Sequence, residues 1–75
     1  VRSHTLKTWP EYFSAVWAGR KRFEIRKNDF KVGDEVILQD YKDGSYTGYE
    51  WRGEITYVTD FEQKPGYVVF GMKEI

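Results

Sequence analysis

The chain has 75 residues, no cysteine, and twelve basic side chains balanced by twelve acidic ones. It is therefore expected to form one small domain over residues 1–75, with no disulfide to staple it. Beyond carboxylates, His4 and Met72 are the only available metal ligands, which argues against a zinc site, and no apolar run is long enough to span a membrane.

Three Trp, six Tyr and five Phe supply the large apolar area that so short a chain needs. Zero net charge conceals an asymmetry. Residues 1–31 carry eight Lys/Arg against three Asp/Glu, whereas residues 32–75 carry four against nine. Clustered in space, the first set would make one electropositive face. Nothing resembles a signal peptide, and the lack of cysteine is compatible with the cytoplasm, the expected location.

The opening, Val1 to Lys7, alternates weakly and predicts a short strand carrying His4 and Leu6. Thr8-Trp9-Pro10-Glu11 reads as a helix start. Thr8 is the expected N-cap, Glu11 completes a capping box, and Pro10 suits the first turn because its missing N–H has no helical partner there. Trp9, Tyr12, Phe13, Val16 and Trp17 then form one apolar helical face, predicting a helix over about 9–18 that Gly19 ends. Trp17 is expected in the core. Trp9, at the helix N-terminus, suits either the core or the wall of a cleft.

Charge is densest in Gly19-Arg20-Lys21-Arg22-Phe23-Glu24-Ile25-Arg26, since five of the eight residues from Arg20 to Lys27 are basic. From Arg22 onward the residues alternate. A strand here would put Arg22, Glu24 and Arg26 on one face and Phe23 and Ile25 on the other, and hydrophobicity assigns the apolar pair to the core. The charged row is then either a self-neutralising solvated face or a surface that recognises an anion or a base edge.

Asn28-Asp29 is turn-like, Phe30 and Val32 can dock apolar side chains, and Gly33-Asp34 makes a further turn. Residues Glu35 to Tyr41 predict a buried strand, and Lys42-Asp43-Gly44-Ser45 a hairpin. Tyr46 through Asp60 is rich in strand-forming residues, with Gly48 marking a turn or bulge and Gly53 a bend. A loop from Phe61 to Gly66 precedes a last strand at Tyr67–Phe70, from which Met72 to Ile75 trail. The expected fold class is α+β, mainly β: a small, mostly antiparallel barrel of five or six strands with the helix covering one opening. Its core should combine Phe23, Ile25, Val36, Leu38, Val68 and Phe70 with Phe13 and Val16 of the helix.

Gly19, Lys21, Glu24, Arg26, Gly33 and Asp34 match the G-x-K-x-x-E-x-R and G-D pattern of the ASCH domains, named for homology to a transcriptional coactivator. With His4-Thr5-Leu6-Lys7, Pro10-Glu11-Tyr12-Phe13 and Phe23 to Asn28, the chain resembles a small bacterial and phage branch of that superfamily, a domain of unknown function termed DUF3850. The resemblance covers essentially the whole chain, including Gly44, Tyr46-Thr47-Gly48 and Pro65-Gly66-Tyr67-Val68-Val69. It implies a PUA-like barrel with a cleft between barrel and helix that presents Lys21, Glu24 and Arg26.

Relatives with this fold bind RNA or DNA, so the resemblance implies binding of RNA, or of a nucleotide or nucleoside derived from it. Lys21, Arg22, Arg26 and Lys7 would contact phosphate, Glu24 would accept from an exocyclic amine, and Trp9 would stack on a base. Thr8 and His4 are further candidates for the same cleft. No cofactor or metal is expected. A protein-interaction domain is compatible with the same pattern. Some small ASCH relatives are instead amidohydrolases that deacylate acetylated cytidine with a lysine, a threonine and a glutamate. Lys21 matches that lysine and is the one catalytic candidate under this alternative. Glu24 stands where those enzymes have threonine, and Phe70 falls at the position of their glutamate. Two of the three positions differ, so binding rather than hydrolysis is expected.

Overall fold

The computed structural model describes residues 2–27 and 29–75, which leaves Val1 of the expected first strand and Asn28 of the expected turn outside the described residues. The elements run β1 (Ser3–Thr8), α1 (Pro10–Trp17), β2 (Phe23–Lys27), β3 (Glu35–Lys42), β4 (Ser45–Thr59) and β5 (Tyr67–Glu74). The strands form one sheet in the order β1-β3-β4-β5-β2. It curls into a half-barrel, and α1 packs across it against β3 and β4.

Two features differ from a closed antiparallel barrel. β1 runs parallel to β3, from Ser3 opposite Glu35 to Thr8 opposite Asp40, while the other neighbours are antiparallel. The long connection through α1 and β2 is what permits the parallel pair. β1 and β2 also lie at the two ends of the strand order, so the sheet stays open between them.

The helix forms as expected but begins differently. Trp9, with extended backbone, occupies the N-cap position without a side-chain cap, and Pro10 follows it. Thr8 is not the cap. It is the last residue of β1, buried, and its hydroxyl donates to the Leu6 carbonyl at 3.3 Å. At the other end Gly19 adopts φ +81°, its N–H donates to Val16 O at 3.0 Å, and that of Arg20 donates to Ala15 O at 2.9 Å. This pair of bonds is the Schellman arrangement, which favours glycine because of the positive φ.

The apolar stripe of α1 is about 140° wide at about 100° per residue, too broad for the opening it covers. Phe13 and Val16 at its centre are buried, whereas Tyr12 and Trp17 on its flanks are exposed. Trp17 therefore lies outside the core. It leans on Phe13 and Tyr49, with ring centroids 5.6 and 6.0 Å away.

Phe13, Val16, Phe30, Val36, Leu38, Trp51, Ile55, Phe70 and Met72 make the core, with Leu6, Val58 and Val68 packed against it. The expected parity of β2 is inverted. Phe23 and Ile25 are 46% and 52% exposed, and Glu24 is only 4% exposed. The cause lies in β5. Glu24 is paired with Phe70, and directly opposed residues of antiparallel strands project to the same face. Phe70 is fully buried, so its partner is carried inward with it.

β4 is one unbroken 15-residue strand. Gly48, at φ +96°, sits where the β3–β4 register slips between Gln39 opposite Glu50 and Tyr41 opposite Tyr46. Gly53 makes no bend; the Trp51 ring lies over it, and a Cβ there would collide with that ring and come within 2.8 Å of Lys73 O. One extra residue, Thr56, between Ile55 opposite Met72 and Tyr57 opposite Gly71 forms a bulge that turns Ile55 and then Val58 toward the core. The hairpin between β3 and β4 is as expected, with Asp43 and Gly44 both at positive φ between the paired Lys42 and Ser45. β5 runs on to Glu74, which brings Met72 into the core.

Candidate functional site

The open side of the half-barrel holds a cleft of about 420 Å³. Lys7, Thr8 and Trp9 at the end of β1 form one wall, Phe23 to Arg26 of β2 form the other, and Tyr12 and Lys21 complete it. Backbone ladders do not bridge this gap; a side chain does. Arg26 Nη2 donates to Lys7 O at 3.1 Å, tying β2 to β1 across the cleft. The Schellman turn matters here, because it returns the chain tightly enough for Lys21 N–H also to reach Ala15 O, at 3.1 Å. Lys21 is thereby set beside the helix it has just left.

Glu24 forms the floor. Lys21 Nζ donates to its Oε2 at 2.6 Å and Arg26 Nε to its Oε1 at 3.1 Å. A buried carboxylate requires such partners, since an unpaired charge out of water is strongly unfavourable. The cations are less buried, with side-chain exposures of 18% for Lys21 and 27% for Arg26. Lys21 Nζ also lies 5.0 Å from the Tyr12 ring centroid and 5.5 Å from that of Phe23. At the rim, Lys7 Nζ lies 4.6 Å from the Tyr41 ring and 5.7 Å from that of Trp9. Lys7, Lys21 and Arg26 thus face a single carboxylate among aromatic walls, and the cleft carries an excess of positive charge. Each carboxylate oxygen offers two acceptor sites, so Glu24 retains capacity for a donor entering from the cleft.

Of the residues expected at a site, Lys7, Thr8, Trp9, Lys21, Glu24 and Arg26 come together here. Arg22 does not. It precedes β2, its Nε donates to Gly19 O at 3.2 Å, and its side chain turns to a different groove. The place that strand alternation would give Arg22 beside Glu24 is taken by Lys21. Phe23 and Ile25 line the cleft although hydrophobic patterning assigned them to the interior, and Tyr12, read only as part of the apolar helical face, lines it too. The signal that could have found them is Glu24 itself: a lone carboxylate with cations at positions −3 and +2 is equipped for burial.

The model of a domain of unknown function, DUF3850, matches residues 3–72. The chain belongs to the DUF3850 family. It is also similar to an uncharacterised 12.9 kDa protein in the GpA 3′ region of Escherichia phage P2, at 41% identity over 62 residues. That alignment takes in 80% of this chain and 57% of the phage protein, so the chain spans little more than half of its relative.

The DUF3850 match takes in a second buried carboxylate, which accounts for His4. His4 does not line the cleft. It is buried on β1, with Nε2 2.8 Å from Asp34 Oδ2. The same Oδ2 accepts from Lys31 N–H, and Oδ1 accepts from Arg2 N–H, each at 3.2 Å. These bonds hold the Asp34 carboxyl below its ordinary range, the His4 hydrogen bond contributing most, with burial opposing them. Gly33 at φ +95° precedes Asp34, and Asp34 N–H closes the turn onto Lys31 O at 3.0 Å. In this DUF3850 chain the Gly33-Asp34 pair is therefore a clasp between the start of β1 and the start of β3. Among the described residues, no helix is long and apolar enough to cross a membrane, and no group of three or more His, Asp or Glu is placed to hold a metal ion.

Proposed function

We propose that the chain has the PUA-like fold of the ASCH domains and that its cleft binds RNA, or a nucleotide or nucleoside derived from it, in the cytoplasm of bacterial or phage-infected cells. The observation that carries this reading is Glu24, buried between Lys21 and Arg26 at the floor of a cationic cleft with aromatic walls. A cleft of about 420 Å³ falls in the ordinary range for small-ligand sites. Lys7 and Arg26, at its rim, suit a phosphate. Trp9, Tyr12 and Phe23, each about half exposed, offer faces on which a base can stack. Glu24 would accept from an exocyclic amine, which cytosine, adenine and guanine possess and uracil lacks.

The hydrolase alternative has less support. Lys21 and Thr8 share the cleft, but the Lys21 ammonium donates to Glu24, and Phe70 is fully buried with no proton to relay.

Titration with cytidine and uridine 5′-monophosphates tests the proposal. Cytidine monophosphate should bind more tightly, and Glu24→Gln should weaken it by ~1–3 kcal/mol while leaving the uridine compound little changed. The amide also leaves two cations underneutralised, so the variant should lose about 1–3 kcal/mol of stability yet remain folded by circular dichroism. Equal affinities for the two nucleotides in the wild type would remove Glu24 from base recognition. Deacylation of acetylated cytidine by the wild type would overturn the preference for binding.

A further inference from the structure

Lys21 lines not one depression but two. On its other side a groove of about 260 Å³ runs along the end of α1, with Trp17, Arg22, Lys73 and Glu74 in its walls and Trp51 in its floor. The groove is also cationic: Arg22 and Lys73 lie with the single carboxylate of Glu74 in its lining, and Lys21 forms the wall shared with the cleft, its Nζ held by Glu24. Arg22 uses its Nε on Gly19 O, while its terminal amino groups make no hydrogen bond among the described residues. Trp17 remains 58% exposed although it touches Phe13 and Tyr49. Neither side chain has a role in the core or in the cleft.

We infer that the groove is a second subsite for the same strand, so that the ligand is single-stranded RNA of at least two nucleotides, crossing from cleft to groove over Lys21. The inference rests on the cleft reading and deepens it. Charge complementarity selects the occupant, because a backbone with a phosphate between consecutive bases meets a cation in the cleft, at the shared wall and in the groove. A single strand is required because bases paired and stacked in a duplex cannot splay out to lie on a tryptophan face. Lys21 would serve the phosphate between the two bases, Arg22 and Lys73 the next one, and Trp17 the second base.

The test compares cytidine 5′-monophosphate with a cytidine tetranucleotide over a range of salt concentrations. The wild type should bind the tetranucleotide at least tenfold more tightly. Arg22→Ala combined with Lys73→Ala should leave the mononucleotide affinity within twofold and abolish most of the tetranucleotide advantage. The slope of log K against log salt should flatten by up to ~0.7 for each lost phosphate contact. Trp17→Ala should weaken only the tetranucleotide, by ~5- to 150-fold, and Trp17→Tyr should restore it, which a merely structural role would not require. Equal wild-type affinity for the two probes, or equal losses for both in the double variant, would overturn the second subsite and leave the cleft standing. Failure of the wild type to bind either probe would overturn both.

Discussion

Asp34 and Glu24 are both buried carboxylates, and their partners separate a structural group from a candidate functional one. Asp34 is buried and satisfied by an imidazole and two backbone N–H groups within the fold. Glu24 is satisfied by two cations that line the cleft. The Asp34 clasp has a pH signature. Because the Asp34 carboxyl is held below its ordinary value of 3.8 in the folded state, its contribution to stability is fully present above that value. It is lost as pH falls through the lowered folded value, where the folded state also takes up the proton. Urea unfolding from about pH 6 to about pH 3 should therefore show a steeper acid loss in wild type than in Asp34→Asn. Parallel curves for the two proteins would show that the clasp is not what acid breaks.

At the scale of the element, β2 shows how a strand's neighbours override its own pattern. Read alone, Phe23-Glu24-Ile25-Arg26 should bury its phenylalanine and isoleucine. Paired with β5, it buries its glutamate, because Phe70 faces the core and lies directly across from Glu24. The edge position makes this tolerable, since the inward face of β2 opens onto the cleft, where cations reach it. Phe70→Ala should accordingly cost roughly 3–5 kcal/mol, a large part of what holds so small a domain together. Phe23→Ala, at a half-exposed position, should cost about 1 kcal/mol. Thermal melts of both variants decide the matter, because at this chain length 1 kcal/mol moves the midpoint by about 4–8 °C. A larger drop for Phe23→Ala would restore the opposite parity.

For the whole molecule, the decisive feature is that the sheet does not close. A sealed barrel would place a backbone ladder where Lys7, Thr8 and the inward face of β2 now line a cleft. Arg26 is the one described side chain that both pairs with Glu24 and donates to a β1 carbonyl. Arg26→Ala should loosen this seam more than the core. Amide hydrogen exchange in β1 and β2 should speed up by roughly tenfold, as expected for losing about 1–1.5 kcal/mol of hydrogen bonding, with β4 little changed. Uniform acceleration across all strands would instead mean that the seam supports global stability. The charge asymmetry read along the sequence also becomes spatial here, for Lys7, Lys21 and Arg26 converge on the cleft while Arg22 meets Lys73 in the adjoining groove.

Much of this arrangement was legible in the residues alone. The helix stripe, its termination at Gly19, the Asp43-Gly44 hairpin and the apolar centre of β3 are local patterns, set by backbone sterics and side-chain character within a few residues. They hold in the fold because no distant contact opposes them. The gathering of Lys21, Glu24 and Arg26 was implied by the resemblance to the ASCH pattern, whereas strand alternation by itself put Arg22 in the place that Lys21 takes. What the residues alone could not decide was facing. Whether Glu24 or Phe23 points inward depends on the register with β5, more than forty residues later, and one residue of slip would reverse it. Likewise, Trp17 lies outside the core only because the half-barrel is narrower than the stripe that covers it, and His4 leaves the site only because Asp34 lies beside β1. These outcomes are set by long-range pairing, which local periodicity does not encode.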